Sequence, residues 1–409
     1  MRLRVAWRSA TGMRILIAPD KFKGSLSAAQ AARAMSDGVL MALPDATVDA
    51  CPMADGGEGT VEAVVSATGA EVHSTAVSGP LPGQRVTAAW ALTDGSGFAG
   101  AGRGEAFGLD LNRPVAVIEM AQASGLVLIP EGLRDPMVTS TRGTGELITA
   151  ALDAGCRQVV VGIGGSGTVD GGMGMAAALG YRFFDGSGAL LETCGRSLAK
   201  IARVDAGGRD PRIDLAKFVA ASDVDNPLVG PEGAARVYGP QKGAGPEDVE
   251  ELERGMLRFA EALRKDLGID VLEAQGAGAA GGLGAGLIAF CGANVVSGVE
   301  VVAGFTSLRE RIAASELVLT GEGSYDSQTQ RGKTPAGVAG MAKDLGVPAV
   351  VLAARLAGDA ALKGEGGPAP FCILPGPMPE GEAVGKAEEL LRFGTARLMR
   401  LITLSGGGL

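Results

Sequence analysis

The chain has 409 residues, 66 of them glycine, with 46% hydrophobic and 4% aromatic residues. That length asks for two α/β cores rather than one, and glycine without a repeat excludes collagen. Acidic residues outnumber basic ones by 46 to 37 with no basic stripe, the opposite of what a nucleic-acid partner requires.

Residues 1–12 carry charges but no continuous apolar stretch, so they are expected to form a disordered extension ahead of Met13 rather than a signal peptide. The apolar run at 14–18 predicts a buried strand. Ser25 or Ser27 then caps a helix whose apolar face carries Leu26, Ala29, Met35, Val39 and Leu43, ended by Pro44-Asp45. A second strand over 47–53 leads through ADGGEGT to a helix stopped by Gly69. This βαβα opening predicts a parallel sheet.

The rhythm changes near residue 71. Strands joined by turns are expected over 72–77, 84–92 and 115–120, with a glycine-rich exposed loop over 95–112. A helix over 145–154, a strand over 158–161, a glycine loop and a helix to residue 179 follow. Next come a strand over 218–221, an exposed amphipathic helix over 247–267 and a glycine-rich helix over 276–290. After residue 300 the βα rhythm returns, with helices over 308–314 and 335–345, strands over 317–320, 349–353 and 371–374, and a final helix over 382–401. The expected architecture is α/β with two domains. A Rossmann-like parallel-sheet domain, 13–73 with 299–404, is split in sequence by an inserted mixed α/β domain, 74–298.

The five cysteines, Cys51, Cys156, Cys194, Cys291 and Cys372, are widely spaced with no CxxC pair. Free thiols in a reducing compartment are expected, hence a cytoplasmic protein. His73 is the only histidine and reads as a surface or strand residue, not the partner of a cysteine nucleophile. No apolar run is long enough to cross a membrane, so no membrane partner is expected. A homo-oligomer is compatible with the sequence, which is otherwise silent on oligomeric state.

Several predicted strands end in loops that pair glycine with a carboxylate or hydroxyl: DKFKGS (20–25), DGGE (55–58), GIGGSGT (162–168) with Asp170, SDVDN (222–226), and TGEG (320–323) with Asp326. In open α/β sheets ligands bind at the carboxyl ends of strands. Glycine lets backbone N–H groups approach an anion, and a following helix N-terminus favours negative charge. Carboxylates in the same loops would repel bare phosphate, and make sense when Mg²⁺ sits between them. The mixture points to metal-assisted phosphoryl transfer.

Two motifs compete with that reading. Gly162-x-Gly164-x-x-Gly167 follows an apolar strand, and Asp185 lies near the distance of a ribose-binding acid, as in a dinucleotide fingerprint. The alternative function is therefore an NAD-dependent dehydrogenase using residues 158–185. Against it, Asp170 stands where a pyrophosphate wants no anion. The match at Gly276-x-Gly278-x-x-Gly281 follows a poor strand. Gln330-Arg-Gly-Lys-Thr334 resembles the end of a P-loop, but the first glycine of that motif falls on Ser327, so a P-loop is rejected; Lys333 remains a point charge for phosphate.

At these residues the chain resembles the bacterial-type glycerate kinase family. The likeness runs from Met13 to about Ile402 through IAPDKFKGSLSA (17–28), ADGGEGT (54–60), EMAQASGL (119–126), RDPMVTSTRGTGELI (134–148), GIGGSGTVDGGMGM (162–175), SDVDNPLVG (222–230), GPQKGA (239–244), GAGAAGGLGAGL (276–287) and TGEGSYDSQT (320–329). It departs at Gly167, often alanine in the family, and at Lys21, often serine. The 95–112 stretch looks longer than usual and the 353–371 segment matches loosely.

The resemblance implies transfer of the γ-phosphoryl group of ATP to D-glycerate, and two α/β domains with a cleft between them. In that frame Asp20, Asp55, Asp223 and Asp326 are candidates for Mg²⁺ coordination or proton acceptance, with Asp55 and Asp223 as the metal ligands. Lys23 and Ser25 are placed to hold a carboxylate or phosphate. Gly164, Gly165 and Ser166 are candidates to cradle nucleotide phosphates, and Arg142 and Lys242 to stabilise charge. Gly56, Gly57, Glu58, Asp170, Asn226, Gly278, Gly321 and Glu322 complete the expected substrate- and nucleotide-binding set.

Overall fold

The structure is a computed structural model that describes residues 12–94, 107–110, 113–325, 333–357 and 368–406. The expected extension before Gly12, most of the 95–112 loop, and Asp326 lie outside those residues.

In chain order, β1 (Arg14–Ile17), α1 (Ala28–Ala42), β2 (Thr47–Ala50), α2 (Thr60–Thr68), β3 (Glu71–Ser78), β4 (Arg85–Thr93), β5 (Val115–Glu119), α3 (Ala121–Ser124) and α4 (Arg142–Asp153) come first. They are followed by β6 (Gln158–Gly162), α5 (Met173–Ala178), β7 (Arg182–Phe184), β8 (Arg203–Asp205), β9 (Lys217–Ala221), α6 (Ala234–Tyr238), α7 (Pro246–Leu267), α8 (Ala279–Cys291), β10 (Asn294–Val296) and α9 (Gly298–Phe305). The chain closes with α10 (Leu308–Ala313), β11 (Leu317–Tyr325), α11 (Thr334–Asp344), β12 (Ala349–Leu356), β13 (Ala369–Cys372), α12 (Glu380–Gly385) and α13 (Ala387–Gly406).

The described residues up to Ala54, with those from Val302 onward, form one compact unit, and Asp55–Val301 form a second. Residues 55–73 group with the second unit because α2 packs on β4 and β5.

In the first unit the strand order is β13-β12-β11-β1-β2, and every pairing is parallel. Parallel strands buried on both faces need near-continuous apolar residues, which Ile15, Leu16 and Ile17 and Leu317, Val318 and Leu319 provide at 0–1% exposure. Of the two serines considered as caps, Ser27 starts α1: its Oγ accepts from the Gln30 N–H while Gln30 Oε1 accepts from the Ser27 N–H. Met35 and Val39 of α1 join Leu391 and Met399 of α13 in the core. From β1 the chain steps outward to β2, whereas β11 leads the other way to β12 and β13. The topological switch therefore lies between β1 and β11.

In the second unit the order is β10-β9-β6-β5-β4-β3. The pairs from β10 to β5 are parallel, and β5-β4 and β4-β3 are antiparallel. Val159, Val161, Phe218 and Ala220 bury one sheet face against Leu147, Met175, Phe259 and Phe290. The 247–267 helix is α7, and it is not free of the core. Leu252, Met256, Phe259 and Leu263, at helical spacing, are fully buried, while most of its charges face solvent and Glu253, buried, accepts the Gly230 N–H.

Three short strands escaped the sequence reading: the antiparallel pair β7-β8, and β10 at the sheet edge. The TGEG segment was expected as a loop. It continues β11 instead, with Gly321 opposite Leu352 and Glu322 opposite Ala353 of β12.

Candidate active site

The second unit gathers one group of predicted residues at the carboxyl ends of β6, β9 and β10. Asp223 lies two residues past β9. Its Oδ1 accepts the Ser297 hydroxyl at 2.6 Å, and its Oδ2 accepts the Val299 N–H at 3.3 Å. Burial, and next the charge of Asp55, push the Asp223 carboxyl up to about 7 from an ordinary 3.8. Asp55 Oδ1 accepts the Gly57 N–H at 3.1 Å, which folds the DGGE loop back on itself.

The loops meet backbone to backbone, and glycine makes that possible. Gly56 has φ +80°, and a Cβ there would lie 2.6 Å from the Ala221 carbonyl oxygen. Gly164 donates its N–H to the Gly56 carbonyl at 3.2 Å, and a Cβ on it would come 2.7 Å from Gly57 Cα. The 55–58 and 162–165 loops therefore interleave beside Asp223. Glu58 of the first loop is exposed, and so is Gly165 of the second, whose φ is positive.

A buried acid absent from the sequence-derived set holds this loop. Glu119 ends β5 at 2% exposure. Its Oε1 accepts the N–H groups of Gly59 at 3.1 Å and Val61 at 2.6 Å, at the start of α2. Burial pushes its carboxyl up, and these hydrogen bonds oppose the shift. Its only sequence signal was an acid closing an apolar strand, inside the EMAQASGL stretch.

Other predicted residues form a second, internal cluster. Lys242 is 1% exposed, and its Nζ donates to Ser166 Oγ at 2.6 Å and to the Thr168 carbonyl at 2.7 Å. Burial pushes Lys242 down to about 7 from 10.5, while nearby Asp170 works the other way. Asp170 is fully buried. Its Oδ2 accepts the Thr141 N–H at 2.8 Å, the Thr141 hydroxyl at 2.9 Å and the Gly174 N–H at 3.2 Å, and its Oδ1 accepts the Gly172 N–H at 3.1 Å. Burial pushes that carboxyl up against those bonds. These groups tie the loop after β6 to the starts of α4 and α5.

Three predicted residues stand elsewhere in this unit. Asn226 uses both ends of its amide internally, donating to the Glu232 carbonyl and accepting from the Tyr238 hydroxyl. Gly278 sits under the 226–227 backbone and donates its N–H to the Asn226 carbonyl. Arg142, half-exposed at the start of α4, pairs with Glu146 at 3.3 Å.

In the first unit, Asp20 follows β1 at the switch point. Its N–H donates to the Gly321 carbonyl, and its Oδ2 accepts the Thr334 hydroxyl at 2.7 Å, tying β1 to the start of α11. Lys23 is exposed in the next turn, and the Ser25 hydroxyl donates back to the Phe22 carbonyl at 2.9 Å. Gly321 is buried and Glu322 half-buried in β11, and Lys333 precedes α11. Open α/β sheets commonly take their ligands at such a switch point, and this one carries an acid, a lysine and a helix N-terminus.

The dinucleotide fingerprint does not have its structural context. That motif requires a helix opening directly on the glycines, yet α5 begins only at Met173 and runs six residues. Gly167 instead packs on Leu126 and Ile129 and donates its N–H to the Ser124 carbonyl. Among the described residues, no three His, Cys, Asp or Glu side chains are placed to share a metal, and no helix is long and apolar enough to cross a membrane.

The glycerate kinase family model matches residues 15–403. The chain is 47% identical to a glycerate kinase of Halalkalibacterium halodurans, over 92% of this chain and 95% of that one. It is also 47% identical to a glycerate 2-kinase of Escherichia coli, over 85% and 86%. A crystal structure of a Salmonella typhimurium protein whose name assigns it as glycerate kinase 2 superposes with a TM-score of 0.78 at 42% identity, covering 97% of this chain and 99% of that one. None of these comparisons favours a dehydrogenase.

Proposed function

The chain belongs to the glycerate kinase family, and from that premise we propose that it transfers the γ-phosphoryl group of ATP, with Mg²⁺, to a hydroxyl of D-glycerate, giving phosphoglycerate and ADP. The observation that carries the reading is the meeting of Asp55 and Asp223 with the interleaved Gly56–Gly57 and Gly164–Gly165 loops. A second carboxylate, that of Asp55, close enough to help raise the proton affinity of Asp223 makes a site that gains from a divalent cation.

Mg²⁺ takes oxygen ligands, and commonly only one or two carboxylates, with phosphate and water completing the shell. A two-carboxylate site without a third acid fits that donor set. Asp55 and Asp223 would hold the ion, which when bound offsets charge on the phosphoryl oxygens. Asp55, on the loop tip, is the better ligand of the two. Asp223 is the better proton acceptor, because burial has brought its carboxyl near the operating pH. Ser297 and the N–H of Val299 orient it from one side. The backbone N–H groups of the glycine loops are suited to the phosphates, and Glu119 fixes one of those loops. In the first unit, Lys23 is the candidate for an anionic group bound at the switch point. Five free cysteines suit the cytoplasm.

The test is to incubate the protein with D-glycerate and ATP, with and without Mg²⁺, and to follow phosphoglycerate by phosphorus NMR. The same spectra read which hydroxyl is phosphorylated; the Escherichia coli relative, named a 2-kinase, makes the 2-hydroxyl the first expectation. Absence of Mg²⁺-dependent phosphoglycerate would overturn the reading.

A further inference from the structure

A cavity of about 360 Å³ in the second unit is lined by residues drawn from three segments, 78–85, 138–142 and 192–196. None of Asp55, Gly56, Gly164 or Asp223 lines it. Each of the three chain segments contributes one arginine: Arg85, Arg142 and Arg196. We propose that this cavity is a binding site for a compact dianion, a phosphate monoester or a small dicarboxylate, separate from the Asp55–Asp223 cluster.

The charge balance supports an anion. Arg85 and Arg142 share one carboxylate, that of Glu146, at 3.4 Å and 3.3 Å. That carboxylate already accepts the Ser78 N–H at 2.7 Å and the Ser78 hydroxyl at 2.9 Å. It neutralises one guanidinium at most. Arg196 donates from Nε to the Met137 carbonyl at 3.4 Å and makes no ion pair among the described residues. Glu192 is the acid that lines the cavity itself. Three arginines against two glutamates leave an excess of one positive charge.

The hydrogen-bonding balance agrees. The terminal guanidinium nitrogens of Arg142 and Arg196 have no partner among the described residues. The planar fork of arginine matches the paired oxygens of a carboxylate or phosphate. The volume lies at the small end of ligand pockets, which suits a compact metabolite rather than a nucleotide.

The experiment is calorimetric titration of the full chain with inorganic phosphate and, separately, with succinate, in chloride buffer at low ionic strength. Saturable one-to-one binding is expected for at least one probe, and the tighter of the two identifies the phosphate or dicarboxylate source. Arg196→Gln should weaken that binding about tenfold or more, since it removes a charged hydrogen-bond donor. Arg196→Lys, which keeps the charge but not the fork, should weaken it less. Both variants should melt with the wild type, because Arg196 is exposed. Asp223→Asn should leave the titration unchanged, separating this site from the acidic cluster. Absence of saturable binding at millimolar concentrations, or affinity that neither Arg196 variant alters, would overturn the proposal.

Discussion

Replacing Asp170 by asparagine tests whether that acid meets ligand or holds the fold. All four groups around its carboxylate are donors: the Thr141 N–H and hydroxyl, and the N–H groups of Gly172 and Gly174. Asparagine has one oxygen and one NH₂, so in either orientation an amide N–H faces another donor. With its oxygen in place of Oδ2, three bonds survive as neutral ones and the Gly172 bond is lost. A charge-assisted bond contributes about 1.5–3 kcal/mol, and the surviving bonds fall to roughly half strength. Relief of the buried charge, which pushes the Asp170 carboxyl up, offsets part of this. It also withdraws the charge that supports Lys242. The net expectation is a loss of about 2–4 kcal/mol, or a Tm lower by about 5–10 °C for a unit of this size. The assay is thermal melting by circular dichroism, with kcat and KM for ATP measured well below the melting range. A variant that melts with the wild type but shows a raised KM for ATP would refute the argument and return Asp170 to the ligand-binding set.

Three further outcomes follow from the same geometry. Asp55→Asn and Asp223→Asn should each lower kcat by about 10²-fold or more with melting unchanged or slightly raised, and Mg²⁺ binding to the wild type should weaken as pH drops below about 7, where the metal-free Asp223 takes up its proton; near-normal turnover in both variants would remove the acidic pair from the mechanism. Lys242 holds its proton less tightly in the native chain, at about 7, than at its ordinary 10.5, so the unfolded state binds more protons between those values and wild-type stability, relative to Lys242→Met, should rise from pH 7 toward 10; a flat difference in Tm would show that the buried amine is not perturbed. Glu119→Ala leaves two N–H groups at the start of α2 without their acceptor and should cost about 2–4 kcal/mol in urea unfolding, with Glu119→Gln costing less; an Ala variant as stable as wild type would mean that water replaces the carboxylate.

The sequence by itself determined what is local. Apolar runs such as RILI and QVVV, buried on both faces, need no partner to be read as strands, and 3.6-residue spacing gives the buried face of α7. Glycine beside aspartate at the strand ends marked the Asp55, Gly164 and Asp223 loops, and the ordered motifs carried the family. The tertiary structure decided what depends on contacts between distant segments. Only packing on β4 and β5 assigns α2 to the second unit. Only the partner strand β12 keeps TGEG in a ladder, because backbone pairing is invisible in a glycine-rich tetrapeptide. Burial also separated residues that look alike in sequence. Asp223 keeps company with a second carboxylate past the carboxyl end of β9, whereas Asp170 is enclosed by donors from residues 141, 172 and 174. A charged side chain next to glycine reads the same in either place. Its surroundings, assembled from segments far apart in the chain, set whether it meets solvent and ligand or holds the fold together.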